Sequence, residues 1–198
     1  IDLMSRPGVT SVVVFRNHGS RAGASMLHPH SQIVAMGQAA PRLTATAAWA
    51  SSAYGQDGRC PTCGEIELEL RDGRRIVEAT ESFVLFVPFG AASPCELCIA
   101  PIRHSASFSR IDDAELPAFG RLLQRGLARL KAALNDPPYN YAIESGPEYE
   151  TDAAYSHWRL RIVPDVVVSG GFELGAGLPI NPSWPEDDAR MLRDAAPP

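Results

Sequence analysis

Ser25-Met-Leu-His28-Pro-His30-Ser-Gln32 sets two histidines around one proline, with a glutamine two residues beyond the second. Proline fixes its own φ and has no N–H. It also pushes the residue before it towards extended geometry. In an extended segment, residues two apart start from the same side of the backbone. His28 and His30 therefore begin on one face, and Gln32 lies on the face of His30. A twist at the proline lets one ring be tied down while the other faces a pocket. Neutral imidazole is a competent nucleophile near neutral pH, because its unperturbed pKa is about 6.5. The competing reading is a pair of surface or metal-binding histidines on a strand, and the surrounding residues bear on the choice.

Just upstream, Asn17-His-Gly-Ser-Arg-Ala-Gly23-Ala24-Ser25 is a loop of small residues. Glycine permits unusual φ and leaves N–H groups free to point at an anion. Ser25 and Gln32 add neutral donors. A histidine that attacks an α-phosphate needs such donors to hold the non-bridging oxygens. A Gly-rich loop by itself is more often a plain turn.

The chain has 198 residues, 45% hydrophobic and 21% charged, which suits one soluble domain or a little more. A formal net charge of -5 provides no basic field for nucleic acid. A phosphate-bearing substrate must then be held locally, by backbone N–H groups and a few side chains. No apolar run reaches the roughly 18 residues of a membrane span, and Ile1-Asp-Leu-Met-Ser-Arg6 has no signal-peptide core. Four cysteines in two Cys-x-x-Cys pairs then point to a reducing, cytoplasmic setting rather than a disulfide scaffold. Position 1 is not methionine and a strand begins almost at once, so the chain reads as lacking an N-terminal part.

Strands are expected at 10–15, from His28-Pro-His30 through Ile33-Val-Ala, and at 83–87, 95–102, 139–144 and 158–163. Two more, at 65–71 and 75–79, are expected around an Asp72-Gly73 hairpin turn. A helix is expected over 39–50. A longer one runs from Asp112 through Leu116, Phe119, Leu122, Leu123, Leu127, Leu130 and Leu134 to a stop at Asn135-Asp-Pro-Pro. The tail carries Gly170-Gly-Phe-Glu-Leu-Gly-Ala-Gly177 and a short helix after Pro185. This order predicts an α+β fold, an antiparallel sheet with one long helix on one face. His28-Pro-His30-Ser-Gln32-Ile33 also resembles His157-Trp-Arg159-Leu-Arg161-Ile162, a hint of internal repetition.

Cys60-Pro-Thr-Cys63-Gly reads as a tight knuckle whose sulfurs converge on one ion. Cys95 and Cys98 lie three apart on a strand and face opposite sides, which argues against a four-cysteine site and makes them ordinary core residues. His104 ends one strand and His157 begins another, so Cys60, Cys63, His104 and His157 would make a sound closed zinc set; the competing reading is that either histidine is a hydrogen-bonded structural residue.

Asn17-x-Gly, Ala-Gly-Ala-Ser-x-x-His-Pro-His-Ser-Gln, Ile99-Ala-Pro-Ile-Arg-His104, His157-Trp, Gly170-Gly-Phe-Glu-Leu-Gly-x-Gly177 and Ile180-Asn-Pro together resemble the galactose-1-phosphate uridylyltransferases of the histidine triad superfamily. The subgroup resembled is that of the ADP-glucose phosphorylases. The resemblance implies two fused histidine-triad-like halves, with the end of the first in 1–40 and the second in 41–198. It implies that His30 forms a covalent nucleotidyl-imidazole, with Gln32 and Ser25 holding phosphoryl oxygens. It places Asn17, Gly23 and Ala24 around the nucleotide phosphate. Phe172, Glu173, Gly170, Gly171 and Gly177 would reach the sugar phosphate across a dimer interface.

It further implies a structural zinc on Cys60, Cys63, His104 and His157, and a second zinc on His28 completed by residues outside this chain. Nucleotide sugars and sugar 1-phosphates would be the substrates, a homodimer the assembly, and uridylyl transfer between hexose 1-phosphates the reaction. The alternatives are phosphorolysis of a nucleotide sugar or dinucleoside polyphosphate, and a non-catalytic zinc-stabilised module. Gln32 replaces the third histidine of hydrolytic members. Arg159 and Arg161 stand where an intact triad has histidines, so the second half is not expected to be catalytic. Solvated strand arginines or a structural ion pair are the readings for that pair.

Overall fold

Phe119, Leu122 and Leu130 bury one stripe of a helix, α3 (Leu116–Leu134), against a sheet. The computed structural model describes residues 3–26, 28–168 and 170–195. Its strands are β1 (Ser11–His18), β2 (Gln32–Met36), β3 (Ile76–Ala79), β4 (Phe83–Phe86), β5 (Leu97–Pro101), β6 (Tyr139–Glu144) and β7 (Arg159–Pro164). They make one seven-stranded sheet in the order β2-β1-β6-β7-β5-β4-β3, antiparallel at every step. The expected α+β architecture is what forms.

On one face, α3 and a short helix α5 (Pro185–Asp194) cover the main core, where Phe83, Phe108, Phe119 and Trp158 pack ring against ring. The Trp158 indole N–H donates to Ser105 Oγ at 3.2 Å, which satisfies its polar atom inside that cluster. On the other face, Ile66 of α2 (Pro61–Asp72) packs on Val84, Phe86, Cys98 and Ala100. The sheet is thus covered on both faces at its β5-β4-β3 end. A further helix, α1 (Pro41–Asp57), lies near α2 and is tied to the sheet through Arg42 and Glu144, 3.1 Å apart.

Three sequence expectations are corrected. Residues 65–71 are helical, not a strand. The alternation Glu-Ile-Glu-Leu-Glu-Leu mimics a strand, but these are good helix formers. Pro61 opens the helix, and Gly73, at φ +74°, closes it by donating its N–H to Glu69 O. Asp72-Gly73 is therefore a helix end rather than a hairpin, and Cys60 and Cys63 sit at a helix start rather than in a knuckle. The long helix begins at Leu116, with Pro117 in its first turn, because Asp112 and Glu115 form a turn of their own before it. Finally, β2 starts at Gln32, so His28-Pro-His30 precedes the strand: the β1–β2 ladder ends with Phe15 opposite Gln32.

Strands β2-β1 and β6-β7 flank a central β1–β6 pair, and the Phe15–Gln32 and Ala142–Arg161 pairs occupy matching places on its two sides. On that correspondence Asn17 matches Glu144, His30 matches Arg159, and Gln32 matches Arg161.

Candidate active site and metal centre

His30 Nδ1 lies 2.9 Å from the carbonyl oxygen of His28. A carbonyl only accepts, so Nδ1 carries the proton and Nε2 is left with its lone pair free. Ser31, the next residue, turns to the helix-covered face and meets the Tyr141 hydroxyl at 2.8 Å. The β1–β2 register puts Gln32 on the other face, the one that Asn17 shares. His30 is half-buried, while His28, Gln32 and Ser25 are exposed.

The loop before them is fixed by two asparagines. Asn140 Nδ2 donates to Asn17 Oδ1 and to Ala22 O, both at 2.8 Å, and Asn17 Nδ2 donates to Gly23 O at 3.3 Å. Gly23 needs its φ of +85° for the turn. The expected free amides are not found there: Gly23 N–H donates to Ser20 O and Ala24 N–H to Gly19 O. Gly23 can line a phosphate site, but these two N–H groups are spent inside the loop.

A cleft of about 690 Å³ runs beside it, lined by Arg21, Gly23, Ser93, Asn140, Glu173 and Gly177 among others. Gly170, Gly171, Phe172 and Glu173 belong to the single-turn region α4 (Gly171–Ala176) and its start. Glu173 accepts the Gly170 N–H at 2.9 Å, and Phe172 is exposed. Glu173 and Gly177 thus face Gly23 of the same chain. His30, Gln32 and Ser25 are not among the lining residues.

At the matching place on β6 and β7 stands an ion-pair network. Arg159 Nε donates to Glu144 Oε2 at 2.9 Å. Arg161 donates through Nη1 to Glu144 Oε1 at 3.1 Å and through Nε to Glu96 Oε1 at 2.7 Å. Glu96 also accepts the Ala92 N–H, and burial pushes its carboxyl above the usual range. These are structural ion pairs, not solvated arginines, and no nucleophile occupies the position. Cys95 and Cys98 are fully buried core residues, as the sequence indicated. Sequence reasoning overlooked Asn140, Tyr141, Glu144 and Glu96, whose roles depend on pairing across the sheet.

Cys60 and Cys63 from the start of α2, His104 after β5 and His157 before β7 place their ligand atoms within 4.8 Å of one another. Cys63 Sγ is 3.4 Å from Nδ1 of both His104 and His157, and Cys60 Sγ is 4.0 Å from His157 Nδ1. Tetrahedral zinc, with Zn–S of about 2.3 Å and Zn–N of about 2.0–2.1 Å, sets sulfur and nitrogen about 3.5 Å apart. The set fits. His157 Nε2 donates to Pro101 O at 3.1 Å, which points its Nδ1 lone pair at the sulfurs. Burial and the neighbouring His104 push His157 down to about 4, so its ring is neutral and ready to ligate. Burial and Cys60 push the Cys63 thiol up to about 12, and a cation among the ligands opposes that shift.

No family model matches the chain. The ADP-glucose phosphorylase of Arabidopsis thaliana is 36% identical over 190 residues, 95% of this chain and 53% of that protein. The galactose-1-phosphate uridylyltransferase of Thermotoga maritima is 29% identical over 201 residues, 98% of this chain and 63% of that protein. Among solved structures, the Arabidopsis ADP-glucose phosphorylase with bound ADP-glucose superposes with a TM-score of 0.90 at 34% identity, over 98% of this chain and 62% of that one. A uridylyltransferase structure gives 0.89 at 27% identity, over 98% and 63%. The chain therefore spans between about half and two thirds of these relatives. No helix among the described residues is long and apolar enough to cross a membrane. By its sequence and by its sheet, the chain is similar to ADP-glucose phosphorylase and to galactose-1-phosphate uridylyltransferases.

Proposed function

We propose that this chain carries the nucleophile of a nucleotidyltransferase that works by double displacement. The observation that carries the reading is the 2.9 Å contact between His30 Nδ1 and the His28 carbonyl oxygen. With Nδ1–H held by the His28 carbonyl, the Nε2 lone pair is free to attack. Nε2 forms a bond to the α-phosphorus of a nucleotide sugar, and the bond from that phosphorus to the bridging oxygen breaks, releasing sugar 1-phosphate. The imidazolium positive charge stays on the ring, with Nδ1–H still donating to His28 O. A phosphate oxygen of the second substrate then attacks the same phosphorus and returns Nε2 its electron pair. Two half-reactions on one residue give ping-pong kinetics.

Gln32 and Ser25 hold the non-bridging oxygens, while Asn17, Gly23 and Ala24 shape the phosphate end. Phe172, Glu173, Gly170, Gly171 and Gly177 serve the sugar phosphate; the shared cleft with Gly23 supports this. Uridylyl transfer between hexose 1-phosphates and phosphorolysis of ADP-glucose are the two forms of the reaction. The 36% identity to ADP-glucose phosphorylase, against 29% to the uridylyltransferase, favours the adenosine nucleotide.

We assign Zn²⁺ to Cys60, Cys63, His104 and His157. Four protein ligands leave no open position, so the ion staples α2 to the ends of β5 and β7. His28 is proposed as one ligand of a second zinc whose other ligands lie outside the 198 residues. Residues 1–40 act as the end of one histidine-triad-like half and 41–198 as the other, which the matched strand pairs support. Exposed Val168, Phe172, Leu174 and Leu178 suit a homodimer interface, and four free cysteines suit the cytoplasm.

The test is intact-protein mass spectrometry of the full-length, zinc-loaded protein after incubation with UDP-glucose and, separately, ADP-glucose. A gain of one nucleoside monophosphate, absent in His30→Gly, is expected and names the base. No adduct with either sugar overturns the transferase reading in favour of a zinc-stabilised module.

A further inference from the structure

The segment that presents His30 is weakly attached. The β1–β2 ladder stops at Phe15 opposite Gln32. Among the described residues, 28–31 make no backbone hydrogen bond to the sheet. The His30 Nδ1 bond to His28 O is internal to the segment and orients the ring without anchoring it. Among the described residues, the side-chain hydrogen bond from the segment to the body is Ser31 Oγ to Tyr141 OH at 2.8 Å. Ser31 lies between His30 and Gln32, so a tether there restrains the backbone on both sides of it.

The other end of that tether is rigid. Tyr141 is 9% exposed in the main core, in the middle of β6, which pairs with β1 on one side and β7 on the other. In the second half, the position matching Ser31 is Leu160, 1% exposed and buried in the core. There, apolar burial holds the strand; in the first half, a hydrogen bond does so.

From this contact we propose that Tyr141 is a positioning residue for the nucleophile, acting through Ser31. The inference rests on His30 being that nucleophile. The second half thereby contributes to the chemistry of the first without touching substrate.

The experiment compares Tyr141→Phe, Ser31→Ala and the double variant in the full-length, zinc-loaded protein. Each single change should slow nucleotidyl-His30 formation at saturating nucleotide sugar by about five- to tenfold, the scale of one net hydrogen bond. Half-saturation should stay within about twofold, because binding groups are untouched. The double variant should be no slower than the slower single, since both remove one contact. Amide exchange of 28–32 should quicken in Tyr141→Phe while β6 and β7 stay protected. Unchanged rates, or a double variant as slow as the product of the singles, overturn the proposal even if His30 is labelled. A wild type that forms no adduct overturns the reading of His30, and the catalytic role of the tether with it.

Discussion

Arg161→Leu should destabilise the protein by about 3–5 kcal/mol, the usual cost of stranding one partner of a buried ion pair. The cost falls unevenly on its two acceptors. Glu144 keeps Arg159 and Arg42, and its side chain is 16% exposed, so it loses little. The Glu96 side chain is 2% exposed and keeps only the Ala92 N–H. Most of the penalty is therefore the desolvated charge of Glu96. Adding Glu96→Gln removes that charge, leaves an oxygen to accept the Ala92 N–H, and should recover more than half of the loss. The pH dependence has a definite sign. Burial already holds the folded-state pKa of Glu96 above its unfolded value, and losing Arg161 raises it further. The folded variant then binds a proton that the unfolded chain releases, so its stability falls as pH rises past the unfolded carboxylate range. Relative to wild type, the Arg161→Leu penalty should be smaller at pH about 5 than at pH about 7.5. Urea unfolding of the wild type, Arg161→Leu and the Arg161→Leu/Glu96→Gln double variant at both pH values reads this directly. A penalty below about 1 kcal/mol, no recovery with Glu96→Gln, or a penalty that grows in acid would each refute the argument.

Removing the metal, by chelation or by Cys63→Ser, should lower the thermal midpoint. A site filled at a thousandfold over its Kd adds about 4 kcal/mol, which for a chain of this size is roughly 8–16 °C. An unchanged midpoint alongside measured zinc loss would contradict a structural ion. Gly19→Ala should cost about 1–3 kcal/mol, because φ is +82° and the new Cβ would lie 3.0 Å from Pro138 Cβ. Gly146→Ala, at the matching turn, meets the movable Ser156 Oγ at 2.9 Å without a positive φ and should cost less; denaturation midpoints that rank the two the other way would count against this.

The parts of the molecule that could be read from sequence are those where chemistry is local. His28-Pro-His30-Ser-Gln32 announces an oriented imidazole within five residues, and Cys60, Cys63, His104 and His157 announce a ligand set by type alone. Residues 65–71 misled because period-2 alternation outweighed the Pro61 and Gly73 punctuation at the helix ends. The Gly23 and Ala24 amides looked free because a sequence does not reveal which carbonyl a turn will offer them. The Asn17–Asn140 bridge and the Ser31–Tyr141 contact were hidden for another reason. Each needs the β1–β6 register, which no local pattern encodes. Arg159 and Arg161 left two readings open until Glu96 and Glu144 were placed beside them.

That same register dictates an order of assembly. Asn17 and Asn140 are 123 positions apart, whereas β3, β4 and β5 pair with sequence neighbours. Closing so long a loop is entropically costly until something rewards it, so the hairpins and α3 condense first and the β1–β2 ribbon zips onto β6 last. Run backwards, the ribbon is the first piece to come away, carrying His30 with it while the aromatic core stays closed. Catalytic competence should therefore fade under mild denaturant before the tryptophan environment changes. During synthesis, the Ser31–Tyr141 contact beside His30 cannot form until β6 has left the ribosome.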